Sequence, residues 1–220
     1  MDEKPNWAVI FDLDGVLVDS TAVVERAWRW WAAEQGIAFG EVGPIAHGRP
    51  ARDVVREVAP HLNSAREARR VDRWEEEHSA RIAALPGALD CAVAAASGPW
   101  GVVTSGGRRL ATARLLAAAL PTPPVLVTAD DVEHGKPDPE PYWQAALALR
   151  VPAGSCLVVE DAPAGIAAAK SAGMTVIAVS TTHPAAALHE ADFVSGSMRE
   201  VHEYLGSGSC LHHDPPPSAQ

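Results

Sequence analysis

The chain is poor in cysteine, has no basic stripe and carries no long apolar run. Its three cysteines, Cys91, Cys156 and Cys210, are odd in number and far apart. That excludes a disulfide framework or a zinc pattern and fits reduced thiols in a cytoplasm. No apolar run reaches the ~18 residues that a membrane-spanning helix needs, so no membrane contact is expected. The first residues, Met1 to Asn6, are polar and acidic, unlike a secretory leader. Lysine and arginine number 18 against 28 acids, a net charge of −10. Such an acid excess argues against a nucleic-acid partner. It does not exclude a small anion, which a few local cations and amides can hold. What is present is ordinary for a globular chain: 220 residues, 47% hydrophobic and 21% charged. That length accommodates one full domain, or a core plus a small inserted domain.

The most informative stretch runs from Val9 to Asp19. An apolar segment, Trp7 to Phe11, predicts a short buried strand. It ends in Asp12-Leu13-Asp14-Gly15. Residues two apart on an extended chain point the same way, so Asp12 and Asp14 leave the strand on one side. Two such carboxylates repel each other unless a cation, a shared proton or water lies between them. An acidic turn is the plain alternative for this stretch alone.

Beyond it the chain reads as helical and charged. Ser20 or Thr21 caps a helix that runs through Trp28, Trp30 and Trp31 to Gln35 and stops at Gly36. Three tryptophans in four residues cannot share one face, so some belong to a core and others to a cleft or interface. Residues 40–50 are rich in glycine and proline and read as a loop containing His47-Gly48-Arg49. A short helix around Arg52 to Val58 follows, then a longer one from Ala65 to Leu85, capped by Asn63 or Ser64. From Pro86 on, helices and short apolar strands alternate. Strands are expected near 100–103, 125–127, 155–159, 174–179 and 193–194. That alternation predicts an α/β fold, a Rossmann-like parallel sheet with helices on both faces. The domain expectation is a core of 1–18 and 86–205, an inserted helical cap of 19–85 and a disordered tail of 206–220, rich in Gly, Ser, Pro and His.

Four strand ends then present chemistry suited to phosphate. The first carries Asp12 and Asp14. The second carries Thr104, followed by Ser105 and Gly106, whose amides can face an anion before a helix begins. The third carries Lys136 between Gly135 and Pro137, and the fourth carries Glu160 and Asp161. In an open parallel sheet the carboxyl ends of the strands are where ligands bind. Several carboxylates with one lysine call for a hard divalent cation with oxygen ligands, and Mg²⁺ suits. A carboxylate nucleophile, an aspartyl-phosphate and a second acid that carries the proton complete the scheme.

As a set, Asp12-Leu13-Asp14-Gly15-Val16, Thr104-Ser105-Gly106, Lys136 and Glu160-Asp161 resemble the four motifs of the haloacid dehalogenase-like hydrolases. The helical insertion resembles the α-helical cap of their subfamily I. His47-Gly48-Arg49, Pro86-Gly87-Ala88, Trp100 to Gly106 and Thr128 to Tyr142 resemble the glycerol-3-phosphatase and 2-deoxyglucose-6-phosphatase branch. The resemblance implies a phosphatase of small sugar or polyol phosphates. It makes Asp12 the nucleophile and a Mg²⁺ ligand, and Asp14 the acid/base with its carbonyl on the metal. Asp161 would bind the metal with Glu160 in support. Thr104, Ser105, Gly106, Lys136 and the amides of Leu13 and Asp14 would hold the phosphoryl group. His47, Arg49 and Arg52 would meet the rest of the substrate.

Two other readings follow from the same resemblance. A β-phosphoglucomutase-like phosphotransferase would place a cap histidine where this chain has Val24. A non-catalytic phosphate-binding protein would be expected to have lost one of the charged groups, and none is lost. A dehalogenase usually lacks the acid at position 14, and a Schiff-base phosphonatase needs a cap lysine, of which 18–85 has none. The oligomeric state is not legible.

Overall fold

A computed structural model describes residues 7–206. Six parallel strands form one sheet in the order β3-β2-β1-β4-β5-β6. They are β1 (Ala8–Asp12), β2 (Trp100–Val103), β3 (Val125–Val127), β4 (Cys156–Glu160), β5 (Thr175–Val179) and β6 (Phe193–Ser195). Strand β1 pairs with both β2 and β4, so the strand order reverses at its edge, which makes the binding crevice of an open sheet.

Every residue of β1 is buried, as expected when both faces are covered. Val9 and Phe11 pack on one side, in the cluster with α5 (Ala88–Ala95), α6 (Arg108–Ala117) and α9 (Met198–Gly206). Ala8 and Ile10 pack on the other, with α7 (Glu140–Leu149) and α8 (Pro163–Ser171). This is the α/β, Rossmann-like sheet the alternation predicted. The tail expectation lies outside the described residues except at Gly206, which closes α9.

Between β1 and α5 the chain folds into α1 (Thr21–Gln35), α2 (Phe39–Ala46), α3 (Ala51–Val58) and α4 (Ser64–His78). These helices share a separate apolar cluster around Trp28, Trp31, Val42, Val54 and Val71. The two crossings to the sheet run side by side, with Asp19 N donating to Ala83 O and Leu85 N to Leu17 O, both at 3.0 Å.

Two local expectations are corrected. Residues 40–50 are not all loop, because α2 occupies Phe39–Ala46 despite Gly40, Gly43 and Pro44. Burial of Val42 and Ala46, with Arg29 lying 3.9 Å over the Phe39 ring, outweighs the weak helix propensity. The long helix ends at His78 rather than Leu85. Ser79 to Arg81 form a 3₁₀ turn, and Ile82 leaves extended to join the core beside the sheet. The three tryptophans do not share one face. Trp28 and Trp31 are buried, while Trp30 is half-buried and stacks on Trp74.

Candidate active site

The carboxyl end of β1 sets the site. Asp12, its last residue, is buried and accepts a 2.5 Å hydrogen bond at Oδ1 from Lys136 Nζ. Lys136 also donates to Glu160 Oε1 at 2.7 Å and to the Val103 carbonyl at 3.3 Å. One lysine therefore links the ends of β1, β2 and β4. Among the described residues, Asp12 Oδ2 accepts no hydrogen bond.

Glu160 is fully buried, and both its oxygens are engaged. Oε1 also accepts from Tyr142 Oη at 3.2 Å, and Oε2 accepts the amides of Asp161 and Ala162 at 2.7 and 2.8 Å. It anchors Lys136 and the turn after β4. Asp161 Oδ2 accepts from the Thr182 hydroxyl. Gly15 is placed against it with φ +80°, and a Cβ there would lie 2.1 Å from Asp161 Oδ2. Only glycine lets the first motif approach the fourth so closely.

Asp14 is held on both sides. Ser20 Oγ donates to Oδ1 at 2.6 Å, and Arg114 Nη1 donates to Oδ2 at 2.8 Å. Thr104 Oγ1 is 3.4 Å from the same Oδ2 and accepts the Gly106 amide at 3.1 Å. Arg114 continues to Glu75 on α4 through Nη2, so one buried guanidinium joins the sheet side to the inserted helices.

These groups line a cleft bounded by Asp12, Asp14, Thr104, Ser105, Gly106 and Asp161 on the sheet side. Across it stand Val24 and Trp28 of α1, with His47 and Arg49 from the turn between α2 and α3. Ser105 Oγ donates to the Gly48 carbonyl at 3.0 Å, closing one edge. Leu13 keeps its side chain in the core. Lys136 is buried behind Asp12. The expectation for Arg52 is corrected, because it does not line this cleft and its guanidinium donates to the Glu133 carbonyl at 2.8 Å. Arg49 lines it while paired with Glu57 at 2.7 Å.

The electrostatics are unbalanced toward acid. Burial, with Glu160 and Asp14 nearby, pushes Asp12 up to about 7 against the pull of Lys136. Burial, then Glu160 and Asp12, pushes Asp161 well above the usual carboxylate range. Burial lowers Lys136, but Asp12 and Glu160 more than offset it and hold the ammonium charged. Carboxylate oxygens of Asp12, Glu160 and Asp161 lie within 4.8 Å of one another. An all-oxygen, acid-rich set of that size fits a hard divalent cation.

Three contributors have no place among the expected residues. Thr182 follows β5, and a hydroxyl just past a buried strand is the same signal that marked Thr104. Arg114 stands at i+4 from Leu110 on the buried face of α6, and Glu75 at i+4 from Val71 on that of α4. A charge in a core register is the readable signal there.

Residues 8–173 match the model of the haloacid dehalogenase-like hydrolase family. Hexitol phosphatase A of Escherichia coli (strain K12) is 41% identical over 197 residues, 87% of this chain and 91% of that protein. Glycerol-1-phosphate phosphohydrolase 1 of Saccharomyces cerevisiae is 31% identical over 187 residues, 80% of this chain and 75% of that one. The crystal structure of a hydrolase from Pseudomonas syringae superposes with a TM-score of 0.82 at 26% identity, covering 91% of this chain and 98% of that chain. The chain belongs to the haloacid dehalogenase-like hydrolases, and its relatives include phosphatases of the sugar-phosphatase branch.

Proposed function

We propose that the chain hydrolyses a small sugar or polyol phosphate monoester with Mg²⁺, through an aspartyl-phosphate on Asp12. At the coarser level it is a phosphoric monoester hydrolase. The observation that carries the finer reading is the state of Asp12: one oxygen held by Lys136, the other without a hydrogen bond among the described residues, on the wall of the cleft. A carboxylate oriented through one oxygen leaves the second for attack.

Asp12 Oδ2 attacks phosphorus, and the bond from phosphorus to the alcohol oxygen breaks. Asp14 gives its proton to that oxygen, so a neutral alcohol leaves. Asp14 then takes a proton from water, which attacks the acyl phosphate, releases inorganic phosphate and restores Asp12. Thr104 and the amides after it hold the phosphoryl oxygens, with Lys136 supplying positive charge from behind. Asp12, Asp161 and the Asp14 carbonyl would hold Mg²⁺, with Glu160 in support through Lys136 and the turn. The cation offsets repulsion between the phosphate and the carboxylates. Helices α1 to α4 act as the cap over the cleft, and His47 and Arg49 meet the alcohol half. Val24 lines the cleft where a mutase of this family would place its histidine, so water rather than a second sugar is the acceptor. Cys91 and Cys156 are free and buried, in keeping with a cytoplasmic setting.

The test is hydrolysis of p-nitrophenyl phosphate with Mg²⁺, with EDTA, and by Asp12→Asn. Turnover should require the metal. It should fall by about 10³-fold or more in the variant, whose amide is a poor nucleophile, while circular dichroism stays unchanged. Retained turnover in Asp12→Asn would sink the covalent mechanism.

A further inference from the structure

Asp14 is held by a side chain that belongs to none of the four motifs. Arg114 reaches it at 2.8 Å through Nη1, and Nη2 of the same guanidinium donates to Glu75 Oε2. Arg114 Nε is buried without a partner. Among the described residues, the guanidinium is therefore held at its two terminal nitrogens, once by Asp14 and once by Glu75. Arg114 and Glu75 are 2% and 5% exposed, so water does not replace either contact.

Glu75 stands on a firm base. It shares the buried face of α4 with Ala68 and Val71, and Val71 belongs to the apolar cluster of the inserted helices. Helix α4 packs against α6, which carries Arg114. A guanidinium is a rigid planar fork on a long, rotatable stem, so anchoring one prong directs the other. Charge balance does not call for Glu75, because Asp14 alone already matches the arginine. A second buried carboxylate adds an uncompensated charge, which is costly. What Glu75 supplies beyond balance is a fixed acceptor.

Resting on the phosphatase reading above, we propose that Glu75 is a positioning residue for proton transfer: it acts through Arg114 to aim the Asp14 carboxylate, by contact rather than by charge. Attack by Asp12 on phosphorus does not use Asp14. Proton delivery to the departing oxygen does, and it depends closely on geometry. A displaced Glu75 therefore shows in the response to the leaving group.

Glu75→Gln and Glu75→Asp separate contact from charge. Glutamine keeps the length and an acceptor for Nη2. Aspartate keeps the charge and withdraws it by one methylene. Both leave a polar partner in the buried site, and circular dichroism checks that both fold. Glu75 also lines the cleft, so direct contact with substrate is the rival role. Phenyl phosphate and p-nitrophenyl phosphate offer it no hydroxyl and differ in how far the departing oxygen needs a proton. With Mg²⁺, kcat/KM covers the steps through loss of the phenol. The ratio of p-nitrophenyl to phenyl phosphate should stay within about twofold of the parent's in Glu75→Gln and rise by about tenfold in Glu75→Asp. Arg114→Lys, whose single ammonium cannot span both carboxylates as the fork does, should raise it as well, and decides the matter if Glu75→Asp does not fold. A ratio unmoved in Glu75→Asp or in Arg114→Lys, or one that rises in Glu75→Gln as much as in Glu75→Asp, overturns the proposal. If the parent chain hydrolyses neither ester, the phosphatase reading fails by itself. Crystal structures of the two Glu75 variants then decide the relay. Asp14 Oδ2 within hydrogen-bond reach of Arg114 in Glu75→Gln but not in Glu75→Asp supports it, and any other pattern overturns it.

Discussion

Arg114 and Asp14 stand 100 residues apart in the chain and meet at 2.8 Å, Nη1 to Oδ2. The arginine is almost wholly buried and reaches Glu75 with its other terminal nitrogen. Ser20 holds the opposite oxygen of Asp14. The proposed proton carrier is therefore held at both carboxylate oxygens, which fixes its orientation.

Asp14→Asn should show this through the leaving group. An alkyl phosphate needs a proton on its departing oxygen, whereas p-nitrophenolate leaves without one. Single-turnover release should fall by about 10²–10⁴-fold for the alkyl ester and far less for the aryl ester. Equal losses on the two esters would remove Asp14 from that role.

Glu75 makes stability depend on pH. Burial, with Asp14 and Asp72 adding to it, raises its carboxyl from 4.5 to about 7, against the pull of Arg114. The folded chain then holds a proton that the unfolded chain has lost between those values. Its contribution is complete below about 4.5 and is lost as pH rises through about 7. Glu75→Gln, which still accepts from Arg114, should flatten that fall, by about 2–3 kcal/mol between pH 5 and 8. Urea unfolding of both proteins in EDTA measures it. Parallel pH profiles would show that Glu75 is not the group responsible.

Gly15→Ala tests the close approach of the first and fourth motifs. A methyl group would meet Asp161 Oδ2 at 2.1 Å and Thr182 Cγ2 at 2.7 Å, with φ at +80°. Asp161 must move, so Mg²⁺-dependent turnover should fall by about 100-fold, the scale of an ångström's misplacement. Circular dichroism should remain close to the parent's. Unchanged activity would mean that Asp161 and Gly15 separate in the working enzyme.

The strands and four strand-end motifs were legible because each is local. In three of them an apolar run of four or five residues ends in a polar residue and a turn, complete within the segment, whereas Lys136 lies well past the three-residue β3 and was legible from its Gly135 and Pro137 flanks. The α2 helix was not legible, since its glycines and proline argue against it and packing against α1 and α3 supports it. Arg52 was misjudged for a similar reason. Its sequence neighbour Arg49 lines the cleft, but three residues on in a new helix the side chain turns toward Glu133.

The sequence by itself determined which chemistry stands at the sheet's carboxyl edge: Asp12, Asp14, Thr104, Lys136, Glu160 and Asp161. Hydrophobic patterning decides where strands end, and that is a property of neighbours in the chain. Only the tertiary structure decided how those charges are apportioned. It gave Lys136 to Asp12 and Glu160, engaged both oxygens of Glu160, and brought Arg114 from α6 between Asp14 and Glu75. Pairing at that range depends on helix rotation and on the seating of α4 over the sheet. The core register of Arg114 and Glu75 marks each as buried, but nothing periodic marks them as partners of each other or of Asp14.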